Sequence, residues 1–383
     1  LDAILCTSLV IQCGEKIESR RVSREDGIVH SFRFSPDDNW RLWSHEIGYS
    51  TWEKEIDARA PQAQFIVTAD IRDFYHSVDR TFLARQLEGI GIHPRIVAAI
   101  IRVLGGVDGR GLPVGPSVSA LLAEVVLAHI DERFLGTGIQ YVRFNDDFRF
   151  FCSSKTSCDE ALAALKRELK AAGGLCLQNA KTKIQTSSDF LEEREHARHY
   201  WIEKIGCPLD PFKGYEDDIT IEQSRDIAKA KHFLLEALNL GEGEDATKSA
   251  RAAFRAIPPG MRAEFVPRVV ESIFAMWKLS SDIAFSLRTR KVTAELDRDD
   301  VMGRFVEAAH AKNAALHDYC LLWMLDAFSK ADWPTSNLEP LHRKLPAQSA
   351  AHREFLMLMK SPDTLDDGVP RSGWIMRGLA RAT

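Results

Sequence analysis

Three aspartates stand where strands could bring carboxylates together. Asp146 and Asp147 lie between apolar, β-prone runs in Tyr141-Val142-Arg143-Phe144-Asn145-Asp146-Asp147-Phe148-Arg149-Phe150-Phe151. That pattern predicts a hairpin with both acids at its tip. Asn-Asp-Asp also suits an ordinary tight turn, so the pair alone does not specify chemistry. Asp70 ends a second β-rich run, Phe65-Ile66-Val67-Thr68-Ala69. Carboxylates converging from separate strands are what two-metal phosphoryl transfer needs, with Mg²⁺ ions about 3.5–4 Å apart. Mg²⁺ takes hard oxygen ligands and keeps waters and substrate phosphates in its octahedron. Asp70, Asp146 and Asp147 could supply such a set.

The elements that must hold these acids read as a mixed domain. A helical pattern runs from Asp79 through Leu87, and Ile96 to Leu104 gives an apolar helix with Pro94 near its first turn. Gly105, Gly106, Gly109, Gly111 and Gly115 mark a flexible loop. It is not a phosphate loop: no Gly-Lys-Ser/Thr follows, and Val114 stands where a dinucleotide fingerprint needs its third glycine. Ser117 or Ser119 is expected to cap a helix over Ser119–His129, in which Glu124 is read as a buried structural hydrogen bonder. Residues 155–172 predict an amphipathic helix with a Ser157/Glu160 capping box, ended by Gly173-Gly174. Leu175 and Leu177 alternate as a strand would. Strand, helix and strand in this order predict a small sheet covered on one face.

Four stretches in order, "ADIRDFY", "GLPVGPSVSALLAEVVL", "FNDDFRFF" and "LQNAKTKI", resemble palm motifs A, B, C and D of reverse transcriptases, over roughly residues 60–190. Motif B is most similar to the bacterial defence-associated enzymes, the abortive-infection and unknown-group reverse transcriptases. Phe144 stands where most members carry Tyr, and no Val-Thr-Gly of the retron type follows. The resemblance implies an α+β fold: right-hand fingers and palm with a small antiparallel sheet, then an all-α helical-repeat-like region. It implies fingers over 1–64, a palm over 65–205 and an α-helical thumb or repeat-like domain over 206–383.

The resemblance also implies roles. Asp70, Asp146, Asp147 and the Ile71 carbonyl would hold two Mg²⁺ ions, with Mn²⁺ as a substitute. Tyr75 would be the steric gate whose ring excludes a ribose 2′-OH. Gly115, Pro116, Ser117 and Phe144 would contact the nucleotide. Lys181, with Lys183 as the alternative, would protonate the leaving pyrophosphate or stabilise its charge. The activity implied is RNA-directed DNA polymerisation, in antiviral defence, with a dedicated non-coding RNA or by untemplated or protein-primed synthesis. Tyr49, Tyr200, Tyr215 and Tyr319 are candidate primers. Partners would be dNTPs, an RNA template or non-coding RNA, the DNA product, and a second copy or an accessory protein. A catalytically silent palm that binds RNA and partner proteins is the competing reading. An RNA polymerase is disfavoured by Tyr75.

Composition sets outer bounds. The 383 residues are 45% hydrophobic and 27% charged, as in a globular protein. No apolar run reaches the roughly 18 residues of a membrane helix, and no signal peptide precedes the first polar residues; the scattered cysteines point to a reducing cytosol, so a cytoplasmic protein is expected. The sequence opens on Leu1, from which a natural start further upstream is expected. The net charge of −5 is not the basic footprint usual for nucleic-acid proteins, but phosphate contacts need only a basic groove. The seven cysteines are scattered without a Cys-x-x-Cys, against a disulfide framework or zinc site. Arg20, Arg21, Arg24, Arg33 and Arg41 are candidate triphosphate contacts in the fingers, or a solvated face. Trp40, Trp43, Trp52 and Tyr49 read as core packing. Cys207 to Tyr215 reads as a domain boundary. The remainder is almost all helical, punctuated by Gly241-Glu242-Gly243, Ile257-Pro258-Pro259-Gly260 and Trp333-Pro334, without a fixed repeat.

Overall fold

The structure is a computed structural model that describes residues 2–36, 42–44, 46–105, 111–113, 117–206, 226–241, 243–311, 318–330, 333 and 341. The described residues divide into two compact units. The first ends at Glu195 and the second begins at His196.

A four-stranded antiparallel sheet in the order β2-β3-β1-β4 organises the first unit: β1 (Phe65–Asp70), β2 (Gln140–Phe144), β3 (Asp147–Cys152) and β4 (Lys183–Thr186). Side chains alternate across it. Val67, Ala69, Phe148, Phe150 and Tyr141 face a large apolar core. Ile66, Val142 and Phe144 face the opposite way, into a smaller cluster.

The helices are α1 (Asp2–Arg20), α2 (Tyr49–Arg59), α3 (Phe74–Ser77), α4 (Arg80–Gly89), α5 (Pro94–Gly105), α6 (Ser117–Phe134), α7 (Lys155–Ala171) and α8 (Ser187–Ile205). Of these, α1 and α3 to α7 build the large core. Asp79 caps α4 by accepting from the Phe82 amide at 2.6 Å, and Pro94 is the first residue of α5. α5 turns Val97, Ile100 and Leu104 inward, while α6 is apolar almost all round because it is buried. The smaller cluster is covered by α2, through Trp52 and Ile56, and by Phe190 of α8. Trp52 is buried against Tyr49 and Phe144, as expected of core aromatics; Trp40 lies outside the described residues.

Three local expectations are corrected. α6 starts at Ser117, so Ser119 lies inside the helix and is buried rather than capping it. The cap of α7 is Ser154, not Ser157: the Ser154 hydroxyl accepts the Ser157 amide and the Ser157 hydroxyl accepts the Ser154 amide, each at 3.1 Å. A serine at the third helical position closes the box as a Glu would, so the frame is three residues earlier. Leu177 makes only an isolated bridge to Ile71, and the strand is Lys183–Thr186. The chain between them bends through a turn at Asn179–Lys181, which takes it out of the ladder. Gly173 and Gly174, at φ 94° and 85°, do end α7.

The second unit is helical among its described residues: α9 (Ile227–Leu240), α10 (Glu244–Ala256), α11 (Val266–Glu271), α12 (Ser280–Leu287), α13 (Arg290–Thr293), α14 (Arg298–His310) and α15 (Asp318–Lys330). One apolar core joins them, with Phe254, Val270, Ile283, Phe305 and Phe328 at its centre. At its edge, the partly buried Asp282 accepts from Arg251 Nε at 3.0 Å and Arg255 Nε at 2.6 Å. The stretch Cys207 to Tyr215 lies outside the described residues.

Candidate active site

Register brings the acids together. β1 and β3 pair so that Asp70 stands opposite Asp147, and β2 and β3 pair so that Phe144 stands opposite Asp147. Opposed residues share a face, so Asp70, Asp147 and Phe144 form a row at one end of the sheet. Asp146 sits in the turn between β2 and β3, after Asn145 at φ 52°. The positive φ suits Asn, one of the few side chains that enter the left-handed region readily. Lys181 joins from the turn before β4, with Nζ 3.2 Å from Asp70 Oδ2.

Electrostatics shows a cluster short of positive charge. Burial and the nearby Asp147 and Asp70 carboxylates push Asp146 up to about 7. Asp70 is also held above its ordinary range, by burial and then by Asp147, although the Lys181 ammonium pulls the other way. Burial works to lower Lys181, but its bond to Asp70 outweighs this and raises it. An ion pair normally lowers its carboxylate, so the raised Asp70 means that one exposed ammonium does not offset burial plus a second acid. Asp147 has Arg149 Nη1 3.5 Å away, and Arg149 stacks over the Trp52 ring at 4.9 Å.

Hard oxygen donors repelling one another fit a divalent cation in kind. They are not a finished shell: among the described residues, no three His, Cys, Asp or Glu side chains stand as a ready cation site. Asp70 is engaged by Lys181, whose side chain is 66% exposed and can swing away.

Tyr75 lies in α3, its ring edge-on to Phe74 at a centroid distance of 5.5 Å. The Leu112 amide donates to its carbonyl at 2.7 Å. Gly111, at φ 71°, lets the chain pass so close that a Cβ there would strike the Tyr75 carbonyl oxygen and lie 2.6 Å from that of His76. Ile71 has its side chain buried in the core, so only its backbone could reach an ion. Gly115 and Pro116 lie outside the described residues; Ser117 opens α6, and its side chain is likewise outside them.

Two basic residues expected in the fingers have structural work instead. Arg21 is buried and bonded to Glu124, Ser31 O and Phe32 O. Arg33 pairs with Glu18 at 2.7 Å, and burial and Arg21 bring it down to about 10. Arg41 lies outside the described residues. Arg143 is a residue that motif reading passed over. It is fully buried between Glu124 and Asp131, behind the carboxylate turn. The signal was present: Glu124 and Asp131, two acids seven residues apart on one face of a largely buried helix, need a buried cation.

Residues 30–208 match the family model "Reverse transcriptase (RNA-dependent DNA polymerase)". These residues form a reverse transcriptase domain, with the palm and fingers fold of RNA-directed DNA polymerases, which are nucleotidyltransferases. Among curated proteins no relative matches the chain. Two solved structures are similar: telomerase from Candida albicans in complex with a fragment of telomeric RNA, at 10% identity and a TM-score of 0.36, and that from Candida tropicalis, at 12% and 0.36. Each similarity covers 92% of this chain and 58% and 56% of the respective structures, so the chain spans under two thirds of their length. Likeness this distant transfers neither partner nor activity.

Proposed function

We propose that this chain, whose residues 30–208 match the reverse transcriptase family, is an active RNA-directed DNA polymerase that adds dNTPs to a growing strand. One observation carries the reading: β1–β3 pairing sets Asp70 opposite Asp147, with Asp146 in the adjoining turn, within a domain of that family.

In this reading Asp70, the Ile71 carbonyl, Asp146 and Asp147 hold two Mg²⁺ ions, or Mn²⁺ in their place. Such ions lower the pKa of an attacking 3′-hydroxyl and neutralise charge on the leaving pyrophosphate. The chain's own residues do the rest. Lys181 releases Asp70 and turns its ammonium to the leaving pyrophosphate, donating a proton or stabilising the charge. Tyr75 occupies the space of a ribose 2′-OH and so selects dNTPs. Gly115, Pro116, Ser117 and Phe144 border the nucleotide. Fingers over 1–64 and a palm over 65–205 precede a helical domain over 206–383.

The similarity of "GPSVSALLAE" to defence-type enzymes supports a role in phage defence, with a dedicated non-coding RNA, or with untemplated or protein-primed synthesis. Of the four candidate primers, Tyr200 is exposed, whereas Tyr49 is partly buried and its hydroxyl donates to Glu53 at 3.1 Å. Tyr215 and the Tyr319 side chain lie outside the described residues.

The test incubates the purified chain with Mg²⁺ and each labelled dNTP or rNTP, with and without co-purified RNA and added primer–template. Products are resolved before and after protease and nuclease. Incorporation of dNTPs by the wild type, lost in Asp146→Asn with Asp147→Asn, is the expected result. Incorporation that survives the double substitution overturns the site. No incorporation under any condition favours a silent palm that binds RNA and partners.

A further inference from the structure

The charges buried behind the carboxylate hairpin do more than fill the core. Arg143 lies on β2 and faces α6. Its Nη2 donates to Glu124 Oε2 at 2.8 Å and to Asp131 Oδ2 at 2.6 Å, and its Nε donates to Asp131 Oδ1 at 2.9 Å. Its Nη1 reaches Glu124 Oε1 at 3.2 Å and also donates to the Asn145 carbonyl at 3.3 Å. A single rigid fork therefore ties two acids of α6 to the residue that opens the turn. Asn145 is the residue held at φ 52°, and its Nδ2 donates to Asp146 Oδ1 at 2.8 Å. The conformation of Asn145 sets the direction in which the chain leaves toward Asp146 and Asp147. The buried ion pairs themselves contribute little net stability, since desolvation offsets attraction. Their fixed geometry is what a turn under backbone strain needs.

We propose that Arg143 is a positioning residue. By holding the Asn145 carbonyl from α6, it fixes the turn that presents Asp146 and Asp147. It thereby couples the helix after the Gly-rich loop to the carboxylate hairpin. The proposal rests on the polymerase reading for its kinetic consequence, but not for its structural one. Lysine cannot replace the fork, because it is a point charge with three donors and no fixed plane.

Arg143→Lys is compared with Tyr141→Phe in the full chain. Tyr141 donates to the same Asp131 at 2.9 Å, so its loss disturbs the same network from the side away from the turn. Arg143→Lys is expected to lower kcat about 10- to 100-fold, the scale for losing a group that orients ligands. KM for the dNTP should stay within about twofold, and Tyr141→Phe should keep kcat within about twofold. Without metal or nucleotide, backbone hydrogen exchange over residues 144–148 should quicken in Arg143→Lys and stay as in the wild type in Tyr141→Phe. Equal kcat losses in the two variants, or unchanged exchange in Arg143→Lys, would overturn the proposal. If Arg143→Lys does not fold, Asp131→Asn takes its place, because it weakens the bonds by which α6 holds Arg143 Nε and Nη2. Wild-type kcat and exchange in that variant would overturn it equally. A wild-type chain that incorporates nothing sinks the polymerase reading alone, because the exchange comparison still decides the positioning role.

Discussion

At the scale of single residues, the site is set by unbalanced charge. Asp146 is pushed to about 7 by burial and by two neighbouring carboxylates. A carboxyl whose folded pKa lies above its ordinary value destabilises the fold once the unfolded chain has ionised, so the cost grows as pH rises from about 4 to 7. Stripped of divalent ions, Asp146→Asn should therefore be more stable than the wild type at pH 8 and equal to it near pH 4. Thermal unfolding checks this, with Tm rising about 2–4 °C per kcal/mol relieved. A difference independent of pH would mean that the carboxylates do not repel as placed. Tyr75 makes a separate prediction. Tyr75→Ala should raise rNTP use relative to dNTP by about 10-fold or more, the scale of one removed steric contact. Single-nucleotide incorporation measures this, and an unchanged ratio excludes Tyr75 as the gate.

At the scale of elements, the site depends on close passages between segments. The Gly111 segment runs against α3 where the Tyr75 and His76 carbonyls leave no room for a Cβ. Gly111→Ala should cost about 1–3 kcal/mol, since it meets both a clash and a positive φ. Urea unfolding gives the number. A loss below about 0.5 kcal/mol would mean that the passage opens freely. The Cβ requirement was not legible beforehand: five glycines in one stretch read as a flexible loop, and which of them touches another chain segment is a long-range fact. Local signals did better. The Asp79 cap, Pro94 at the head of α5 and the two glycines after α7 lie where their short-range chemistry puts them. The α7 cap was misplaced because Ser154 and Ser157 both suit the role, and only the reciprocal bonds choose between them.

At the scale of the whole molecule, each unit encloses a carboxylate held by arginines. Glu124 in the first is fully buried. Burial works to raise it, but Arg143 and Arg21 outweigh this and keep it below the ordinary range. Asp282 in the second is likewise opposed by burial and held low by Arg255 and Arg251. A lowered carboxyl stabilises the fold above its unfolded pKa, and that stability is lost as pH falls through the folded value. His30 adds an earlier loss. Burial lowers its pKa, so protonation of the unfolded chain costs stability once pH falls below about 6.5. With Asp146→Asn in place to remove the opposing effect of that carboxyl, urea midpoints should thus decline slightly from pH 7 to 5 in the first unit and steeply below about pH 4 in both units. A chain as stable at pH 3 as at pH 7 would show that these buried pairs carry no linkage.

The sequence determined the order of motifs, the two β-runs that end in acids, and the helices whose apolar faces repeat along the chain. Those are properties of short windows, in which side-chain period and turn chemistry decide the outcome. Tertiary structure alone decided which faces meet. Asp70 opposes Asp147 because β1 pairs with β3 in one register, and a slip of one residue would turn the carboxylate into the core. It also decided that Arg21 and Arg33 serve the interior, that α2 covers the sheet below the carboxylates, and that Arg143 spans from α6 to the turn. Each of these joins residues far apart in the chain, and their partners are fixed by packing rather than by neighbours in sequence.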